Sequence, residues 1–428
     1  MFKKSVLLFL ILRLSTVFAN PAEIPFDMYF HNQTLRIDYH RFRSIEKDSV
    51  EIYRLFRKQT WEGSRQHLIY IPGYANTKVE MWTSDGKNLL FAHEYNTLAG
   101  EWATLEEAKD SLRVFEETVL LPLPKHAVNI RFFSRNSDGK WITVSNSLYI
   151  DNKKSITIPL VQDNYEKIAL HHSGEGKFCV DIMFVPDGFD KNDSALMKEK
   201  MEMFANTLLH TEPFSQYKDK LNLWGLTAYS EHSGIPITSV SETQTVACTH
   251  FNTFNSERYL MTDSTFRLHN AIGNHPCEHI IIICNTDKYG GGGIYNFYAT
   301  VSLDKTFASK IMLHELGHSF GGLGDEYAEN DISTITPAFS KEPLEPNLTT
   351  LVDFSSKWKK QMRNSTPIPT PSTTEYSKEV GVYEGASYQP KGIYRPFQSC
   401  MMRDYAPFCP VCAEILHRQL LRHCDRLQ

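Results

Sequence analysis

The chain lacks the features that mark several protein classes. It has no excess of positive charge: 45 Lys and Arg face 50 Asp and Glu, a formal balance of −5 over 428 residues. Without a basic excess there is no electrostatic footprint for nucleic acid, so no nucleic-acid partner is expected. Glycine (22) and proline (20) are too few for a collagen-like or mainly disordered chain, and the 41% hydrophobic content supplies large cores. No cysteine precedes Cys179, which excludes a small disulfide scaffold and argues against a cysteine-switch pro-segment. No unbroken run of 18 apolar residues occurs, so no transmembrane anchor is expected. Internal repeats and long blocks of like charge are also missing.

What is present begins with an export signal. Met1–Ala19 carries a basic start (Lys3, Lys4), an apolar stretch over Val6–Leu14 broken only by Arg13, and Val17 and Ala19 at the −3 and −1 positions of a cleavage site. The stretch is too short to span about 30 Å of hydrocarbon. The mature chain is expected to be secreted, periplasmic or at the cell surface. Removing the signal leaves 42 basic against 50 acidic residues, a balance of −8.

Eight cysteines follow, four of them in the last 29 residues (Cys400, Cys409, Cys412 and Cys424). Cys409-Pro-Val-Cys412 fits a redox pair, half of a structural zinc site with Cys400 and Cys424, or disulfides and buried thiols. No thioredoxin-like pattern surrounds it. In an exported protein, disulfides or buried thiols are the preferred reading.

Residues 20–160 read as an N-terminal all-β sandwich. Thr34-Leu-Arg-Ile-Asp-Tyr39, His67-Leu-Ile-Tyr-Ile71 and Trp141-Ile-Thr-Val144 alternate polar and apolar residues, and Asn136-Ser-Asp-Gly139 is a hairpin signal. One helix is expected over 104–114. No catalytic cluster is apparent here, and a packing module, or one that binds protein or glycan, is expected. Residues 165–428 change character. Phe178–Val185 reads as a doubly buried strand, Asp193–Leu209 as a helix, and 221–226 and 279–284 as further strands. Strands alternating with helices give an α/β layer arrangement.

The chemistry concentrates in Ala308–Tyr327, which contains HExxH. On a helix, His314 and His318 lie one turn apart on one face and can share a Zn²⁺. Glu315 sits beside the metal, where it can act as general base towards a zinc-activated water and pass the proton to the leaving amine. Gly321 and Gly322 supply a helix stop. A catalytic zinc needs three protein ligands, and Asp325 and Glu326 follow directly.

The string HELGHSFGGLGDEY resembles the IgA-peptidase family of zinc metallopeptidases, which place HExGH before a DEY triplet. Tyr289-Gly-Gly-Gly-Gly-Ile-Tyr-Asn296, Glu345-Pro-Asn-Leu-Thr-Thr350, Val382-Tyr-Glu-Gly-Ala386, Ser399-Cys-Met-Met-Arg403 and Phe408-Cys-Pro-Val-Cys412 are similar to that family as well. The resemblance implies a metzincin-like catalytic domain, one catalytic Zn²⁺, a protein or peptide substrate and an N-terminal β-domain. It does not imply that IgA is the substrate. The usual metzincin spacing puts the third ligand at the eleventh position, here Gly324. Asp325, at the twelfth, is therefore preferred, with Glu326 as the alternative. Met401 and Met402 resemble a Met-turn packed beneath the ligands. Tyr405 is a candidate for contact with the oxyanion or substrate.

Gly292, Gly293, Ile294, Tyr295 and Asn296 read as an edge strand to which an extended substrate can add. No Gly-Lys-Ser/Thr follows, so the glycines are not a phosphate loop. His171, His172, His250, His275, His279, His417 and His423 lack ligand spacing. Sequons begin at Asn32, Asn192, Asn347 and Asn364. The sequence thus points to an exported zinc metalloendopeptidase. The competing readings are a zinc-dependent amidase or deacylase on cell-wall or glycan amides, and a non-catalytic secreted binding protein.

Overall fold

A computed structural model describes residues 24–151, 158–237, 244–328 and 340–423. The expected signal peptide and Cys424 lie outside them. The chain first runs through α1 (Phe26–Tyr29), β1 (Phe30–Arg43), β2 (Asp48–Lys58), β3 (Ile69–Tyr70), β4 (Thr77–Thr83), β5 (Leu89–Tyr95), α2 (Leu98–Trp102), β6 (Arg113–Pro124), β7 (Val128–Arg135), β8 (Trp141–Thr143) and β9 (Leu148–Ile150).

These strands form two sheets. One has the order β2-β1-β6, and the other β3-β5-β4-β7-β8 with β9 also on β7. Alternation decides the packing. Leu35, Ile37 and Tyr39 of β1, with Val119 and Leu121 of β6, meet Val79 and Met81 of β4 and Ile130 and Phe132 of β7 in one core. The Asn136–Gly139 turn joins β7 to β8. Asn136 Oδ1 accepts the N–H of Asp138 and Lys140, and Gly139 takes φ +77°. The expected helix over 104–114 is not there. The helical residues are α2 and a 3-10 turn at Glu106–Lys109, and by Arg113 the chain is strand. From Phe115 onward the period is two, with Phe115, Glu117, Val119 and Leu121 all turned inward.

The second unit continues with β10 (Glu166–His171), β11 (Val180–Asp187), α3 (Ser194–Leu209), β12 (Leu221–Thr227), α4 (Thr265–Ile272), β13 (His279–Cys284), β14 (Gly291–Ile294), β15 (Tyr298–Ser302) and α5 (Ala308–Gly321). Its six-stranded sheet has the order β10-β12-β11-β13-β15-β14. The four inner strands are parallel, and the edge strands β10 and β14 run antiparallel to their neighbours. β11 and β13 are buried along their whole length because both faces are covered. α3 and α5 cover one face. The other packs against α4 and against Leu98, Trp102 and Phe115 of the N-terminal unit. Arg36 of β1 also donates to Asn270 Oδ1 (2.8 Å) and the Phe266 carbonyl (3.1 Å), so the two units share polar as well as apolar contact. The chain closes with β16 (Tyr383–Ala386), β17 (Gln389–Arg395), α6 (Met401–Asp404) and α7 (Pro410–His423). No helix among the described residues is long and apolar enough to cross a membrane.

Candidate active site

α5 places the histidines. Asp304 fixes the turn that leads into it by accepting the N–H of Thr306 and Phe307. Its buried face (Ile311, Met312, Leu316 and Phe320) locks it to the sheet. It ends at Gly322, whose φ of +64° only glycine adopts cheaply, with the Leu323 N–H returning to the Gly317 carbonyl at 3.2 Å. The turn brings Asp325 back over the helix. His314 Nε2 lies 3.0 Å from Asp325 Oδ1, His318 Nε2 lies 3.3 Å from the same oxygen, and the two Nε2 atoms are 3.1 Å apart.

Each imidazole is held by its other nitrogen. His314 Nδ1 is 3.0 Å from the Met401 carbonyl and His318 Nδ1 is 2.6 Å from the Leu323 carbonyl. A carbonyl only accepts, so both Nδ1 atoms donate to the backbone and both Nε2 atoms are left facing Asp325. Burial opposes charge on these rings, but the Asp325 carboxylate outweighs it: His314 is raised and His318 is pushed up to about 10. Burial also works against Asp325, yet the two histidines hold it well below the ordinary carboxylate range. Glu315, which projects into the same cleft, is raised by burial against the pull of both histidines.

The donor set fits a metal. A tetrahedral site with bonds of about 2.0–2.1 Å has ligand atoms about 3.3–3.4 Å apart, and the separations here are 3.0–3.3 Å. The other sequence candidates fall as follows. Glu326 points away from the histidines and is fully buried against Cys412 and Asn347, so it does not join this cluster. Met402 packs beneath α5: a Cβ on Gly317 would lie 2.5 Å from its sulfur. Met401 is buried beside it and supplies the carbonyl for His314. The Tyr405 ring stands edge-on to His314 at 5.7 Å, and its hydroxyl bonds to that of Tyr289.

The glycine run is explained by close approach. A Cβ on Gly293 would lie 2.3 Å from the Glu315 carbonyl oxygen, and one on Gly292 would lie 2.2 Å from the Met261 sulfur. β14 therefore lies directly on the HExxH helix. The edge strand is shorter than its sequence suggested and stops at Ile294. Tyr295 and Asn296 form the turn to β15, with Asn296 at φ +52°. The N-terminal unit holds that turn: the Asn96 N–H donates to the Tyr295 carbonyl at 2.9 Å, and Asn296 Nδ2 donates to the Glu94 carbonyl at 2.7 Å. The segment around Arg258–Leu260 already bonds to Gly291, so the outer edge open to the cleft begins at Gly292.

A family model described as IgA Peptidase M64 matches residues 168–376 and 372–420. A second, described as Peptidase M64 N-terminus, matches residues 25–145. The chain belongs to the IgA peptidase M64 family. It is thus a metallopeptidase-family member with that family's N-terminal β-unit ahead of an α/β peptidase unit. No curated protein matches it.

Several residues of this M64 peptidase site had no role legible in the sequence. Tyr388, at φ +64° just beyond β16, donates from its hydroxyl to Asp325 Oδ2 at 2.6 Å and orients that carboxylate. Asn347 is fully buried. Its Oδ1 accepts the Gly324 N–H at 2.7 Å, while its Nδ2 donates to the Gly324 carbonyl and to Glu326. The Asn347 side chain braces the turn that carries Asp325, whereas Asn32, Asn192 and Asn364 are exposed. The N-terminal unit is also no mere packing module. Asn96, Thr97 and Glu101 line a cleft of about 860 Å³ that contains His314, Glu315 and His318. Burial pushes Glu101 up to about 7, against a hydrogen bond from the Tyr259 hydroxyl. Among the histidines without ligand spacing, His279 and His423 meet in the core beside Glu278, remote in sequence and role from the cleft.

Proposed function

We propose that this chain is an exported zinc metalloendopeptidase. The observation that carries the reading is the convergence of His314 Nε2, His318 Nε2 and Asp325 Oδ1 to within 3.3 Å, with both Nδ1 atoms tied to carbonyls. His314, His318 and Asp325 would hold the zinc. When bound, zinc would polarise the scissile carbonyl and acidify a water. Glu315 accepts the water proton and delivers it to the leaving nitrogen; its raised pKa suits a group that must both take and return a proton. Tyr388 keeps Asp325 in its orientation. Tyr405, whose ring stands edge-on to His314, would donate its hydroxyl to the developing oxyanion. An extended peptide would add to the β14 edge from Gly292 to Ile294, which suits protein substrates. Export is supported by Met1–Ala19 alone.

Replacing Glu315 with Gln tests the assignment. The variant should keep its zinc, measured by mass spectrometry of the metal, while kcat falls by about 10²–10⁴-fold. An undiminished kcat would remove Glu315 from the mechanism.

A further inference from the structure

Behind the histidine site lies a second cluster of ligand-bearing side chains. Glu326, Cys400, Cys409 and Cys412 each bring one donor atom to within 4.8 Å of all the others. None is more than 3% exposed. They come from three separate places: the residue after Asp325, the residue before Met401, and the first turn of α7 with the residue that precedes it.

We propose that these four residues form a second, structural zinc site with a Cys₃Glu ligand set. Four lines of geometry support it. First, Glu326 is a fully buried carboxylate whose Oε1 takes Cys412 and Asn347 but whose Oε2 has no partner. A buried carboxylate oxygen left alone is costly, and a cation at the centre of the cluster would satisfy it. Second, backbone N–H groups point at sulfur: Cys409 N–H to Cys400 Sγ at 3.3 Å and Cys412 N–H to Cys409 Sγ at 3.5 Å. Such bonds stabilise thiolates, as does the N-terminal end of α7. Third, the donor chemistry, mostly thiolate and nearly tetrahedral in number, selects zinc over calcium or magnesium. Fourth, the excess negative charge of such a site has counter-charges at hand. Arg403 donates to the Glu326 carbonyl at 3.1 Å, and buried Arg395 lies close enough to feel both Glu326 and Arg403.

A disulfide is the rival arrangement. Any one of the three possible bridges leaves a third thiol, and it leaves Glu326 Oε2 without a partner. The zinc site uses all four groups at once. On binding, the thiols lose their protons to solvent and no redox partner is needed. The consequence for the chain is mechanical. The site would clamp the segment after Asp325 to the Met401–Met402 start of α6, a link already marked by the Glu326 N–H on the Met402 carbonyl at 2.8 Å. Both backbone neighbours of the clamp serve the histidine site, Asp325 directly and Met401 through His314.

The test uses the full chain and does not rest on the reading of the histidine site. The double variant His314→Ala/His318→Ala should retain about one zinc per chain, with an X-ray absorption shell of about three sulfurs near 2.3 Å. Zinc in a sulfur environment supports the proposal whatever the histidines bind. No zinc in that variant, or zinc with nitrogen and oxygen neighbours only, overturns it. So does peptide mapping, without reductant, that finds two of Cys400, Cys409 and Cys412 bridged. Cys409→Ala should lower the zinc content of the otherwise native chain from about two to about one. If that variant does not fold, the histidine variant still decides the question.

Discussion

Asp325 is the residue on which the catalytic reading turns. It sits 3.0 and 3.3 Å from the two imidazole nitrogens and is itself steadied by Tyr388. Asp325→Ala should weaken zinc binding at the histidine site by more than tenfold, while Tyr388→Phe should weaken it by about tenfold, as loss of an outer partner does. Competition with a chromophoric chelator measures both; equal affinity in Asp325→Ala would move the third ligand elsewhere. The same carboxylate sets a pH dependence. His318 is raised to about 10, so below that pH its ring carries a proton that zinc must displace. Affinity should therefore fall as pH falls, by about tenfold per unit between pH 8 and pH 6. A flat profile would contradict the protonation assigned to His318. Of these residues, His314, Glu315, His318 and Asp325 were legible in the sequence because their geometry is local, one helix and the turn that ends it. Tyr388 and Asn347 were not, because each arrives from more than 20 residues away and only the folded chain brings them to Asp325 and Gly324. Glu326, the alternative to Asp325 in the sequence, points elsewhere for a related reason. Successive residues of an extended segment face opposite ways, so when Asp325 faces the histidines its neighbour must face the core.

At the scale of elements, β14 and α5 act as a pair. Glycine at 293 is what lets a strand lie on the helix that carries Glu315, the proposed general base. Gly293→Ala places a Cβ 2.3 Å from the Glu315 carbonyl oxygen. The strand or helix must then shift, at a cost of about 1–3 kcal/mol. Thermal melting should register that loss, and kcat/KM should drop further than stability alone explains, because both Glu315 and the substrate edge move. An unchanged melting temperature and unchanged kinetics would show that the contact is not tight. The sequence reads the glycine run as an edge strand through Asn296, but the strand stops at Ile294, and the close approach of the glycines shows only in the fold. Asn296 ends the strand by taking a left-handed conformation, and what holds it there is Glu94 from the other unit. Similarly, the residues around 104–114 have helical composition, yet the two-residue period from Phe115 onward draws the chain into β6. In both places tertiary pairing overrides local preference.

At the scale of the whole molecule, the N-terminal sandwich and the α/β unit are one working body. Leu98, Trp102 and Phe115 share a core with Met183, Val185 and Ile282. The cleft takes one wall from each unit. Calorimetry should therefore show a single cooperative transition, and two well-separated peaks would show independent units. Glu101 is the N-terminal unit's contribution of charge. Raised to about 7, it is mostly neutral at pH 6 and mostly ionised at pH 8. Peptides with acidic residues beside the cut should lose kcat/KM between those pH values, and Glu101→Gln should abolish the difference. None of this was readable from sequence, since the sandwich carries no catalytic motif of its own and contributes only by where it docks.

The central claim is that His314, His318 and Asp325 hold a zinc at which Glu315 drives peptide hydrolysis. The most direct measurement is to incubate the protein and its Glu315→Gln variant with a diverse peptide mixture, with and without a zinc chelator, and to read new termini by mass spectrometry. The native chain should make cuts, with new α-amino termini and a common flanking pattern, that vanish in the chelator and in the variant. Cuts that persist in both, or none from a chain carrying zinc at the histidine site, would contradict that claim.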